Sequence, residues 1–139
     1  MLFRSNAALH LAAQGVDVIV TYSSQAGEAA AVVAEAERLG ARAAALPLDT
    51  GTVASFASFA AALRAVLRER WQREHFDFLV NNAGMGLHAG FAETTEAQFD
   101  ALANVHFKGV FFLTQTLLPL IADGGRILNV SSEIGRAHV

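Results

Sequence analysis

The residues best suited to chemistry in this chain stand at the ends of short apolar runs. Leu79 to Gly86 reads LVNNAGMG, so the run HFDFLV closes on two amides, Asn81 and Asn82, followed by Ala83 and Gly84. PLDT puts Asp49 and Thr50 behind a second run. VDVIVTYSS puts Tyr22, Ser23 and Ser24 behind a third, and RILNVSS ends on Ser131 and Ser132. Amides, hydroxyls and a carboxylate can hydrogen-bond a flat polar ligand, and Ala83 and Gly84 lack the bulk that would keep the backbone away from it. Ordinary turns also use Asn and Gly. The repetition of small polar tips favours a binding edge over a bare turn. Metal chemistry finds no support: there is no cysteine, and His10, His75 and His88 lack ligand spacing.

Such tips need strands, and the strands need helices to carry them. Asn6 to Gln14 has helical spacing and stops at Gly15. Val16 to Tyr22 is short and β-branched, which predicts a strand. Gln25 to Leu39 is rich in Ala and Glu and stops at Gly40, a second helix. Ala41 to Leu48 reads as a strand dominated by alanine. Asp49 to Thr52 opens a third helix, running to about Arg73, with N-cap chemistry. Phe76 to Asn81 is a strand. Thr94 or Thr95 caps the next helix, with Gln98 in capping-box position behind Thr95. A long helix is expected from about Leu102 to Ala122, then a turn at Gly124–Gly125 and a final strand. Strands alternating with helices of this length imply right-handed crossovers and a doubly wound parallel α/β sheet. Ligands bind such sheets beyond the carboxyl ends of the strands, where the polar tips lie.

The chain has 139 residues, about one domain, with 53% hydrophobic and 17% charged residues and a net charge of −3. That composition describes a protein with a large core rather than a disordered tail. Its Lys and Arg residues form no basic stripe, so no nucleic-acid partner is expected. GVFFLTQTLLPLIA is too short to span a bilayer and is interrupted by Thr114, Gln115, Thr116 and Pro119. No membrane partner is expected, and the cytoplasm is the default location. Arg64, Arg68, Arg70 and Arg73 with Glu69 and Glu74 read as a solvated helix end. Trp71, Phe76 and Phe78 read as packing. The Phe107, Phe111, Phe112, Leu117 and Leu118 face reads as core or subunit interface.

NNAG after a strand, Asp49 at the preceding strand end, and HFKGVFFLTQ followed by GGRILNVSS together resemble the short-chain dehydrogenase/reductase family, over roughly residues 6–132. The resemblance implies a Rossmann-like dinucleotide-binding domain with a parallel sheet ordered 3-2-1-4-5. It also implies truncation: the family's first strand with its Gly-rich loop, and the part after Ser132, are expected to be missing. Two strands should then stand on each side of an empty slot. Asp49, with Thr50, matches the acid beside the adenine ring. Asn81, Ala83 and Gly84 match the motif that borders the cofactor. Ser132 matches the serine that polarises a substrate carbonyl. His106 of HFKG stands where relatives carry the asparagine that anchors a proton-relay water, a departure that keeps hydrogen-bonding capacity.

The resemblance further implies an NAD(P)-dependent oxidoreductase that moves hydride between nicotinamide and a small-molecule carbonyl or alcohol. The tip Tyr22–Ser23–Ser24 has no acid to accept bonds from a ribose 2′-OH and repel a 2′-phosphate, which favours NADP over NAD. In relatives a tyrosine of a Tyr-x-x-x-Lys motif is the general acid. Here the one tyrosine is Tyr22 and the one lysine is Lys108. This chain by itself is therefore expected not to turn over, and its parent is expected to be a homo-oligomer.

The ends read as foreign. The reverse complement of a string that can encode LFRS lies inside one that can encode EIGRAHV, and both resemble a sequencing adapter. Residues 1–5 and 134–139 are accordingly expected to be non-native, with His138 among them. A reading from another class stays open: a non-catalytic nucleotide-binding or interaction module. A methyltransferase is a third, with no use for NNAG plus a closing Ser-Ser.

Overall fold

Residues 2–131 are described by a computed structural model, and the side chains from Ser5 onward. Ser132 and residues 134–139 lie outside the described residues, as does Met1. The glycine stops work as the sequence predicts. Helix α1 (Leu2–Ala13) ends before Gly15 at φ +80°, and α2 (Ala26–Arg38) before Gly40 at φ +93°. Both glycines hold the left-handed conformation that a Cβ would strain.

Each helix leads into a parallel strand. β1 (Val18–Tyr22) pairs with β2 (Ala43–Pro47), Val18 opposite Ala43 and Tyr22 opposite Pro47. β3 (Phe76–Asn81) pairs with β4 (Ile121–Asn129). The described residues thus form two separate two-stranded parallel sheets, the division expected of the truncated α/β fold.

The period of two along β2 splits the core. Ala43 packs with Ala12, Val18, Ala36 and Ala41 against α1 and α2. Leu46 and Leu48 turn the other way. They meet Phe56, Phe59 and Leu63 of α3 (Phe56–Val66) with Leu67 just after it, Leu113 and Leu117 of α5 (Gly109–Leu117), and Leu120. The alanines that make β2 hard to read as a strand serve this packing. Ala36 and Ala43 are each 0% exposed, and a larger side chain would push α2 off the sheet.

Polar groups tie the start of the strands together. The Trp71 indole N–H donates to Asp17 Oδ2 at 2.7 Å, and the Arg42 amide donates to Asp17 Oδ1 at 2.7 Å. The Arg42 guanidinium pairs with the same carboxylate and lies 5.8 Å over the Trp71 ring. Arg70 donates to the Ala43 carbonyl and so occupies a backbone acceptor of β2. Arg68 pairs with Glu74 and Arg73 with Asp77 at the exposed helix end. Trp71 is buried as expected, whereas Phe78 is 61% exposed and packs less than expected.

The last helix–strand boundary differs from the expected one. Helix α4 (Glu96–Ala103) runs through a π-helical turn (Asn104–Lys108) into α5, and a 3-10 turn (Leu118–Leu120) ends it. β4 starts at Ile121. Pro119 accounts for the early stop, since its ring clashes with the preceding turn and it has no N–H to give. Gly124–Gly125 form a bulge inside β4 rather than a turn before it: Phe76 faces Ile121 while Phe78 faces Arg126. Gly124 sits at φ +79°, and a Cβ on Gly125 would come within 2.7 Å of the Asp77 carbonyl oxygen. The third helix ends close to the expected Arg73. It closes in a π turn (Leu67–Trp71), and Gln72 takes the left-handed conformation at φ 53° where no glycine marks the stop. No helix among the described residues is long and apolar enough to cross a membrane.

Candidate functional site

The site is built where β2, β3 and the α4–α5 junction converge. Asp49 follows β2 and folds back on its own loop. Its Oδ1 accepts from the Gly51 amide at 2.9 Å, and its Oδ2 from the Thr52 hydroxyl at 2.8 Å. This is an Asx turn within the loop rather than the helix N-cap the sequence suggested, since the caps at Thr52 and Ser55 make no side-chain bond; it holds the exposed carboxylate in one orientation. Tyr22 ends β1 beside it, its carbonyl accepting from the Leu48 amide at 2.7 Å. Ser23 and Ser24 are exposed.

Glycine decides how closely the helix approaches this tip. A Cβ on Gly109 would fall onto the Thr50 carbonyl oxygen and lie 2.7 Å from the Asn104 carbonyl oxygen. One on Gly51 would lie 3.3 Å from the Val105 side chain. The π turn therefore rests directly on the Thr50–Gly51 backbone. π turns in longer helices occur frequently at functional sites.

The β3 tip reaches the same junction from the other side. Asn81 is buried, 9% exposed, and its Nδ2 donates to Asn129 Oδ1 at 2.8 Å and to Thr114 Oγ1 at 3.1 Å. Its carbonyl accepts from the Val130 amide at 3.0 Å. Ala83 is exposed and Gly84 partly so. One residue on, Met85 meets the helix: His106 Nε2 lies 2.7 Å from its carbonyl oxygen and 3.1 Å from its amide nitrogen.

The Thr50 backbone and Met85, at the end of the segment carrying Ala83 and Gly84, therefore both meet the α4–α5 junction. Tyr22 and Ser23 adjoin through β1, and Ser132 falls outside the described residues. Sequence reasoning missed Thr114 and Asn129, the two side chains that hold Asn81. Each had a signal: Thr114 interrupts the apolar helix GVFFLTQTLL, and Asn129 interrupts the apolar strand RILNV. Among the described residues no cluster of His, Asp or Glu could hold a metal ion.

Parallel strand pairs carrying polar tips, under helices that connect them, are the arrangement of a doubly wound α/β domain. A family profile described as short chain dehydrogenase matches residues 5–139, and the chain belongs to that family. A tetrahydroxynaphthalene reductase of Pestalotiopsis fici, PfmaG, is 36% identical over 126 residues, which cover 90% of this chain and 43% of the relative. The crystal structure of the landomycin C-6 ketoreductase LanV with bound NADP and rabelomycin superimposes with a TM-score of 0.90 at 34% identity, covering 98% of this chain and 55% of that one. A short chain dehydrogenase from Burkholderia cenocepacia in complex with NADP gives a TM-score of 0.80 at 32% identity, covering 94% and 51%. The chain spans about half the length of the relatives it matches.

Proposed function

We propose that this chain is part of an NADP-dependent oxidoreductase that moves hydride between nicotinamide C4 and the carbon of a small-molecule carbonyl or alcohol. The observation that carries the reading is that one π turn meets both strand tips, Gly109 packing it on the Thr50 carbonyl and His106 reaching Met85, one residue past Gly84. Asp49 and Thr50 would take the adenine end, and Ala83 and Gly84, which lack bulk, would let the nucleotide approach the backbone. Tyr22, Ser23 and Ser24 carry no acid at the β1 tip to repel a 2′-phosphate, and the NADP bound to LanV and to the Burkholderia enzyme supports the same choice. The nicotinamide supplies the hydride when bound.

Ser132 would orient the carbonyl. His106 stands at the relay position, with Nε2 turned to Met85 and Nδ1 left for a water. The acid of the parent would be a tyrosine after Ser132, its pKa lowered by a neighbouring lysine. With Tyr22 and Lys108 as its one tyrosine and one lysine, the chain as it stands is proposed not to turn over.

Sequencing the coding DNA on both sides of this stretch tests the proposal. The expected result is a strand with a Gly-rich loop upstream and Tyr-x-x-x-Lys about a dozen codons after Ser132. The encoded full-length protein should then oxidise NADPH faster than NADH with carbonyl substrates. Flanking DNA without either motif would instead favour a non-catalytic nucleotide-binding module.

A further inference from the structure

β2 uses one of its two edges. The Val18 amide donates to the Arg42 carbonyl at 3.0 Å, and the Leu48 amide to the Tyr22 carbonyl at 2.7 Å. In a parallel ladder the bonded residues alternate, so Arg42, Ala44, Leu46 and Leu48 turn their backbone groups to β1. Ala43 and Ala45 turn theirs to the opposite side, where the described residues supply no strand. Arg70 donates to the Ala43 carbonyl and takes that position on the edge. Ala45, one step further along, opens onto a cavity of about 460 Å³.

The cavity is a cleft between two helices, with the edge of the sheet as its floor. Ala30 and Ala34 of α2 form one wall, and Val66 at the end of α3 the other. Ala30 and Ala34 are four apart and share one face of the helix. Their methyl groups leave width beside β2. A further strand would lie about 4.8 Å from β2 and exchange backbone bonds with Ala45. Strand addition to an open sheet edge is a recurring way of binding an extended peptide.

Charge selects the peptide. Glu37 and Glu69 stand at the rim, each in the closing turn of its helix, where the last carbonyls add negative potential. The neighbouring arginines are already engaged. Arg70 pairs with Glu37 at 3.3 Å, and Arg42 with Asp17 at 2.9 Å. Glu69 enters none of the ion pairs among the described residues. A cation arriving at the rim therefore meets a carboxylate with no competing partner. A second copy of the chain fits less well, because its own β2 edge is recessed between the same two helices.

We propose that the cleft binds an extended cationic segment of a partner protein, added as a strand beside β2 at Ala45, with a Lys or Arg side chain at Glu69. The surface is separate from the strand tips at Asp49 and Asn81 and needs no cofactor.

The test titrates the 15N-labelled chain with the capped peptide Lys-Val-Thr-Val-Lys. At about 1 mM peptide the Ala45 amide should shift, and its hydrogen exchange should slow about tenfold or more. Glu69→Lys should weaken the binding about tenfold while the β1 and β2 amide signals of the free chain stay in place. Glu-Val-Thr-Val-Glu, and the cationic peptide methylated on alternate backbone nitrogens, should each bind about tenfold more weakly or worse. An Ala45 amide that ignores the cationic peptide would overturn the proposal. So would equal binding of the methylated peptide, which would rule out strand addition, or equal binding to Glu69→Lys, which would rule out the charge at the rim. Ala45 shifts that follow protein concentration instead of peptide would give the edge to a second copy and overturn the assignment as well.

Discussion

Asn81 Nδ2 lies 2.8 Å from Asn129 Oδ1, so the last residues of β3 and β4, already opposite one another in register, are also joined through their side chains. The second amide hydrogen goes to Thr114 on α5. One buried amide therefore binds both strand ends and the helix beneath them.

Replacing Asn81 by Ala removes both bonds, at about 0.5–1.5 kcal/mol each, since the exposed Asn129 and half-buried Thr114 oxygens can turn to water. Thr114→Val should cost less, about 0.5–1.5 kcal/mol, because Asn81 keeps its bond to Asn129. Urea denaturation of the two single variants and the double variant should give a non-additive pair, since both changes remove the same bond. Strict additivity would show that the Asn81–Thr114 contact carries no energy.

Gly109 sets two effects against each other. It sits at helical φ −62° and ψ −47°, where Gly→Ala normally stabilises a helix by about 1 kcal/mol. The added methyl would also strike the Thr50 and Asn104 carbonyls, and backbone atoms cannot swing aside as a flexible side chain does. Overpacking of this kind costs about 1–3 kcal/mol, so Gly109→Ala should lower the denaturation midpoint. A rise in the midpoint would mean that α5 can lift off the Thr50 backbone freely.

The same contrast explains what was legible in the sequence. Gly15, Gly40 and the Thr95–Gln98 capping box announce themselves locally, and the structure uses each as read: the Gln98 amide donates to Thr95 Oγ1 at 3.3 Å and the Thr95 amide to Gln98 Oε1 at 2.9 Å. The fold class was legible because apolar runs alternated with helical spacing. Features that depend on distant partners were not. Gly124–Gly125 read as a turn because a bulge against Phe76–Phe78 needs the pairing register, which no local pattern contains. Asn81 was legible as a tip residue, but its burial under Thr114 and Asn129 was not.

Asp17 predicts an acid limb in the stability profile. Burial pushes its carboxyl up. The Arg42 amide, the Trp71 indole N–H and the Arg42 guanidinium outweigh that and hold it below the usual carboxylate range. A carboxyl with a lowered folded-state pKa contributes stability that is fully present above its unfolded value, about 4, and lost as pH falls through the folded value. Glu35 beside Arg38, Glu74 beside Arg68 and Asp77 beside Arg73 are lowered too, but these pairs are exposed and weak. Thermal midpoints measured downward from neutral pH should therefore stay level to about pH 4 and then drop. Trp71→Phe should shallow the drop by removing one of the bonds that favour the carboxylate. An unchanged slope in that variant would show that the indole contributes nothing.

Phe107, Phe111 and Leu118 are 79, 61 and 57% exposed and fall on one stripe of the α4–α5 helix, whereas Leu113 and Leu117 face the core. The helix was expected to be core or interface along one face, and it divides into both. Apolar side chains grouped this way on a surface mark a contact site. The helical period brings residues seven apart back to nearly the same side, so Phe111 and Leu118 would meet a flat partner together. A homo-oligomeric parent would use this stripe. In the full-length protein, Phe107→Glu with Phe111→Glu should lower the mass measured by sedimentation velocity. The cost to the stability of each subunit should stay within about 0.5 kcal/mol, because neither ring supports the core. A native protein that sediments as a monomer throughout, or a double variant that keeps the native mass, would remove this stripe from the account.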